Sequence, residues 1–148
     1  MNTNLFPRPV EVSDVPEGHV GLVVNGGLMR GMRSASRMSA AGAVFMRDVS
    51  TAPVYRLWSI LDRHPGMVRF AAGGTAVAAE LYAVPRLCFA QVVEEEAPGL
   101  SVGRILLDDG TSPLGVIIEP WRVEGMDEIT QYGGWRPYVA RRGIPQDI

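Results

Sequence analysis

The stretch HVGLVVNGGLMRGM, residues 19–32, decides how this chain is read. It begins as an unbroken apolar run and stops on Asn25-Gly26-Gly27. A short continuous run of this kind fits a strand buried on both faces. Asn-Gly-Gly accepts positive φ at little cost, so it would make a tight turn if a second strand came next. The next residues, Leu28-Met29-Arg30-Gly31-Met32, do not alternate as a strand does. A hairpin turn therefore does not account for the whole stretch, and the chain is expected to run from a buried strand into a longer loop.

Outward from this point the pattern predicts strands with few helices. A small-residue segment at 34–41 suits a short helix. GAVFMRDV (42–49), VYRLWSIL (54–61) and GMVRFAA (66–72) read as strands separated by turn residues or proline. TAVAAELYAV (75–84) is apolar enough for a central strand. Pro85 can open a helix over PRLCFAQVVEEE (85–96), because proline lacks only an amide that the first helical turn leaves free. SVGRILL (101–107) and LGVIIE (114–119) flank DDGTSP (108–113) as a hairpin. The segment DEITQYGGWRPYVARRG (127–143) offers a helix cap at Asp127 or Thr130. No repeat or internal boundary is visible. The expectation is an irregular arm over 1–18, with Pro7, Pro9 and Pro16, followed by one α+β domain over 19–148 whose curved sheet closes into a small mixed barrel with flanking helices.

Composition narrows the function. A chain of 148 residues can bury a core without disulfides or metals. Formal charge is −2, and the 14 basic residues are spread along the chain, so no nucleic-acid footprint stands out. All 14 are arginine, which excludes a lysine Schiff base. One cysteine, Cys88, permits no internal disulfide and fits a reducing compartment, with a buried small hydrophobe as its expected role. No apolar run approaches the roughly 20 residues of a membrane span, and the first residues do not resemble a signal peptide. The expectation is a cytoplasmic protein that needs neither metal nor cofactor, since two histidines and one cysteine make no metal motif and no Walker sequence or dinucleotide fingerprint is present.

Several residues carry chemistry on their own account. Glu80 sits in an apolar strand, where an acid is either paired with an arginine or functional. Arg56, beside Tyr55 in VYRLWSIL, could clamp a carboxylate or carbamate bidentately or could pair with Glu80. Arg136 has the same two options, with Trp135 and Tyr138 as walls of a site. His64, next to Pro65-Gly66, is either a proton carrier or a loop histidine.

The pattern Asn25-Gly26-x-Leu28-Met29-x-Gly31, with APVYRLWSI (52–60), AELYAVP (79–85), GLSVGRILLDDG (99–110) and DEITQYGGWRPY (127–138), resembles the C-terminal domain of allophanate hydrolases and its stand-alone relatives, within the γ-glutamylcyclotransferase-like superfamily. The likeness covers roughly residues 19–140. It implies a polar pocket whose first loop, here Asn25, Gly26, Gly27 and Leu28 with Met29 behind it, holds a substrate carboxylate on backbone amides. Such consecutive amides form an anion-binding concavity when no side chain blocks approach. Asn25 and Gly27 stand where the cyclotransferases have tyrosine and serine. The resemblance also places the general acid/base at Glu96, with Glu94 and Glu95 as neighbours and Glu80 as rival. It implies a small anionic or urea-like substrate and an enzyme of carboxylated urea or carbamate metabolism, acting by decarboxylation or a related step. The alternatives are lactam formation of the cyclotransferase type and a non-catalytic accessory of an amidase. The Ser-Ser-Lys set of the separate amidase domain cannot exist in a chain without lysine.

Overall fold

The computed structural model describes residues 8–146. Strand β1 (His19–Val24) is the axis of a five-stranded sheet ordered β2-β5-β1-β7-β6. Its partners are β5 (Ala78–Pro85), antiparallel with Val24 opposite Glu80, and β7 (Leu114–Ile118), parallel with Leu22 opposite Leu114. Being covered on both sides, β1 buries Leu22, Val23 and Val24, which explains its unbroken apolar run. The edges of this sheet are β2 (Val44–Ser50) and β6 (Leu100–Arg104), the latter forming the expected hairpin with β7. A second sheet, ordered β4-β3-β8, holds β3 (Tyr55–Ile60), β4 (His64–Arg69) and the two-residue β8 (Asp127–Glu128). Helices are short: α1 (Ala35–Ala40), α2 (Phe89–Glu94) and α3 (Trp135–Arg142).

The α+β class is as expected, but the sheet does not close into a barrel. The hydrogen-bond ladder breaks between two sheets, which instead meet through side chains where β4 faces β7. There Gly66 lies so near Ile118 that an added Cβ would stand 2.5 Å from its Cδ1. Between the sheets Leu22, Leu57, Met67, Leu81, Ile105, Ile129 and Trp135 form one apolar core. Val12 from the arm joins it, and Glu11 ties the arm to Arg104 at 2.7 Å. Residues 1–7 of the expected arm lie outside the described residues.

Three further expectations need correction. Pro85 does not open a helix; it ends β5 opposite His19, and only a 3-10 turn over Arg86–Cys88 separates it from α2. Neither Asp127 nor Thr130 caps α3, which begins after Gly134. Asp127 pairs with Ser59 in β8, and the Thr130 hydroxyl accepts from the Leu57 amide at 2.9 Å. Strand β4 starts at His64 rather than after it, because β4 is an edge strand and tolerates Pro65. Cys88 is half-buried against the core. Among the described residues no helix is long and apolar enough to cross a membrane.

Candidate functional site

The loop after β1 is fixed from below. Asn25 is buried, and its amide donates to the Val116 carbonyl at 2.9 Å and approaches Met67 sulfur at 3.9 Å, so it bolts the loop to β7 and β4. Gly26 packs against Pro65 with no room for a Cβ. The Gly26 carbonyl accepts from Met29 N at 3.0 Å and the Gly27 carbonyl from Ser34 N at 2.8 Å. The amides of Gly26, Gly27 and Leu28 themselves have no acceptor among the described residues.

These three residues border a cavity of about 400 Å³ that also takes in Arg33, Arg37, Arg63, His64, Glu95, Glu96 and Arg122. Glu96 follows α2, with its side chain 10% exposed, and its Oε1 accepts from Arg37 Nη2 at 3.3 Å. Burial pushes the Glu96 carboxyl above the usual carboxylate range; Arg37 opposes this and Glu95 adds to it. Glu95 is half-exposed and lies 3.3 Å from Arg37 Nε. His64 Nδ1 is 2.9 Å from the Pro65 carbonyl, which only accepts, so Nδ1 carries the hydrogen. Burial lowers the His64 pKa, the Pro65 bond raises it, and the guanidiniums of Arg122 and Arg63 lower it further. Arg33 reaches the segment after α3, donating from Nη2 to the Pro145 carbonyl at 2.9 Å. Arg33, Arg63 and Arg122 have no carboxylate partner among the described residues.

The cavity thus unites the Asn25, Gly26, Gly27 and Leu28 loop with Glu96. His64 and Glu95 line it as well, and the remaining residues singled out in the sequence lie elsewhere. Glu80 is wholly buried and accepts from Arg30 N at 2.9 Å, Arg30 Nε at 3.2 Å, Arg136 Nη2 at 3.0 Å and the Tyr82 hydroxyl at 3.3 Å. Burial first, then the Glu80 charge, pushes the Tyr82 hydroxyl up to about 12. Arg136 also donates to the Arg30 carbonyl at 2.6 Å, so α3 is strapped to the loop. Arg56 pairs with Glu128, not Glu80, at 2.9 and 2.6 Å. Tyr55 and Trp135 are core side chains, with the Tyr55 hydroxyl accepting from Leu106 N at 2.8 Å. Tyr138 donates to Asp62 at 2.6 Å, and Met29 is buried in the core. Glu94 ends α2 on the exposed side and does not line the cavity.

Arg33, Arg37, Arg63 and Arg122 were not singled out in the sequence. The first two stand four apart in RSASRMS, a spacing that puts them on one side of the chain as it enters α1. Arg63 and Arg122 carry no comparable signal.

Comparison with known proteins bears on the whole domain. Residues 20–140 match the allophanate hydrolase C-terminal domain family. The structure is similar to that of c4763, a uropathogenic E. coli-specific protein, at 47% identity and a TM-score of 0.81, covering 82% of this chain and 96% of that one. It is similar also to Kluyveromyces lactis allophanate hydrolase, at 24% identity and a TM-score of 0.81 over 89% of this chain and 22% of that one. A urea amidolyase of Lachancea kluyveri is 25% identical over 131 residues, 84% of this chain. The chain spans only 7% of that relative's length. With the family match running from β1 into α3, this chain belongs to the allophanate hydrolase C-terminal domain family.

Proposed function

We propose that the cavity binds a small carboxylated urea- or carbamate-like compound and releases carbon dioxide from it, with Glu96 as proton donor. The observation that carries this reading is the meeting, along one cavity, of three residues whose amides have no protein acceptor and a carboxyl whose proton affinity burial raises. The amides of Gly26, Gly27 and Leu28 orient a carboxylate. Glu96 gives its proton to the nitrogen, the carbon–nitrogen bond breaks with its electron pair passing to nitrogen, and carbon dioxide leaves. Solvent then reprotonates Glu96. Guanidiniums along the wall favour an anion entering a chain of net negative charge. The upstream partner on this reading is an amidase that delivers the carboxylated compound, since relatives carry this domain within longer chains.

The test supplies the chain with an N-carboxylated carbamate generated in place by an allophanate-cleaving amidase, and follows carbon dioxide release. The wild type is expected to accelerate release and Glu96→Gln to lose about 100-fold or more of that acceleration. Equal rates with wild type, Glu96→Gln and no protein would overturn the proposal.

A further inference from the structure

The residues that line the cavity are rich in donors: Gly26, Gly27 and Leu28, whose amides have no protein acceptor, and Arg33, Arg37, Arg63 and Arg122. The two glutamates that face it are already turned toward Arg37. Against these stands His64, at the first position of β4. Its Nδ1 hydrogen is committed to the Pro65 carbonyl at 2.9 Å, and an imidazole carrying its one hydrogen on Nδ1 presents a bare lone pair at Nε2. Nε2 has no protein partner among the described residues and is not sealed off from the cavity or solvent. Arg63 beside it in the β3–β4 turn and Arg122 from the segment after β7 oppose a second proton on the ring.

We propose that Nε2 of His64 recognises an N–H group of the bound compound, so that the cavity selects molecules in which a carboxylate and an N–H-bearing nitrogen lie close together. The inference rests on the carboxylate reading of the cavity given above, and goes beyond it by naming the group that reads the nitrogen. A simple carboxylate would satisfy the amides and guanidiniums but offer the imidazole lone pair no donor, leaving it to water. A site built to pair a donor rejects the analogue that lacks it.

Oxamate and pyruvate supply the test, because they share a shape and a carboxylate while one has an amide nitrogen where the other has a methyl group. Calorimetry on the intact chain is expected to show oxamate bound about tenfold or more tightly than pyruvate, with His64→Phe reducing the ratio to about twofold or less. Nitrogen-15 spectra of the wild type provide a readout that does not depend on the variant folding. At pH 7 they are expected to show the Nδ1–H form of His64, with the Nε2 signal moving on addition of oxamate and not of pyruvate. Equal affinity for the two compounds, or an Nε2-protonated ring in the free protein, would overturn the assignment of His64 and leave the carboxylate reading standing. Failure of both compounds to bind would overturn the two together.

Discussion

Glu80 and Glu96 are both carboxylates taken largely out of water, and the chain treats them in opposite ways. Glu80 is completely buried yet surrounded by donors from Arg30, Arg136 and Tyr82, which link the loop after β1, strand β5 and helix α3. Glu96 has one guanidinium contact at 3.3 Å, a like charge beside it and a cavity in front of it. A buried acid whose lone pairs are filled by donors from three elements behaves as a strut. An acid that is desolvated but underfilled has its proton affinity raised and a face open to a cavity, an arrangement suited to acid–base work.

The sharpest way to break this contrast is to compare the two in turnover and stability. Glu96→Gln should cost the carbon dioxide release assay a factor on the order of 100 to 10,000 while changing unfolding free energy by less than about 1 kcal/mol. Glu80→Ala should do the reverse in kind, lowering stability in urea titration by about 3 kcal/mol, near the lower end of the range for broken buried pairs because Arg30 and Arg136 are half-exposed. If Glu80→Ala unfolds no more easily than wild type, the strut reading fails. Gly26→Ala puts a methyl group into Pro65 and should cost about 1–3 kcal/mol, showing as a lower melting temperature with weaker oxamate binding.

The smallest expected effect is the dependence of stability on pH. Glu96 holds its proton more tightly folded than unfolded, so its contribution is fully present below the ordinary carboxylate pKa and is lost as pH rises through the elevated folded value. Wild-type stability should therefore carry a downward component across that interval, visible in melting temperatures taken at closely spaced pH. Glu96→Gln should remove the component, and Arg37→Gln should enlarge it by deleting the cation that opposes the upward shift. An unchanged profile in Glu96→Gln would show that Glu96 is not the displaced group.

Much of this was legible in residue order, for reasons that differ along the chain. Strands β1 and β5 were readable because both lie inside a sheet and must be apolar on each face. The Asn-Gly-Gly loop was readable because only a glycine fits against Pro65. That Glu80 needs an arginine is a consequence of burial, but which of 14 arginines supplies it depends on where α3 docks, and the sequence does not carry that. Arg56 resembled a clamp and meets Glu128 because β8 pairs beside β3. Trp135 and Tyr138 had the composition of a pocket wall, yet aromatic rings near glycines look the same whether they face a cavity or each other. Trp135 and Tyr138 lie 5.4 Å apart between centroids in the core. His64 resembled a loop residue because Pro-Gly usually marks a turn. Here the turn comes earlier, at Leu61 and Asp62, whose φ values of 54° and 58° bend the chain before the proline.

The parallel ladder between β1 and β7 has a consequence for how the molecule comes into being. Leu22 cannot meet Leu114 until most of the chain lies between them, and β1 meets β5 only after the strands between them have been made. Contacts of such long sequence separation form slowly, with folding on a millisecond-to-second scale typical of domains dominated by them. The Asn25 amide, which needs the Val116 carbonyl of β7, locks the loop only when that ladder is in place. The loop of Gly26, Gly27 and Leu28 thus takes its place only with β7 paired beside β1, and a chain without that ladder lacks the finished cavity.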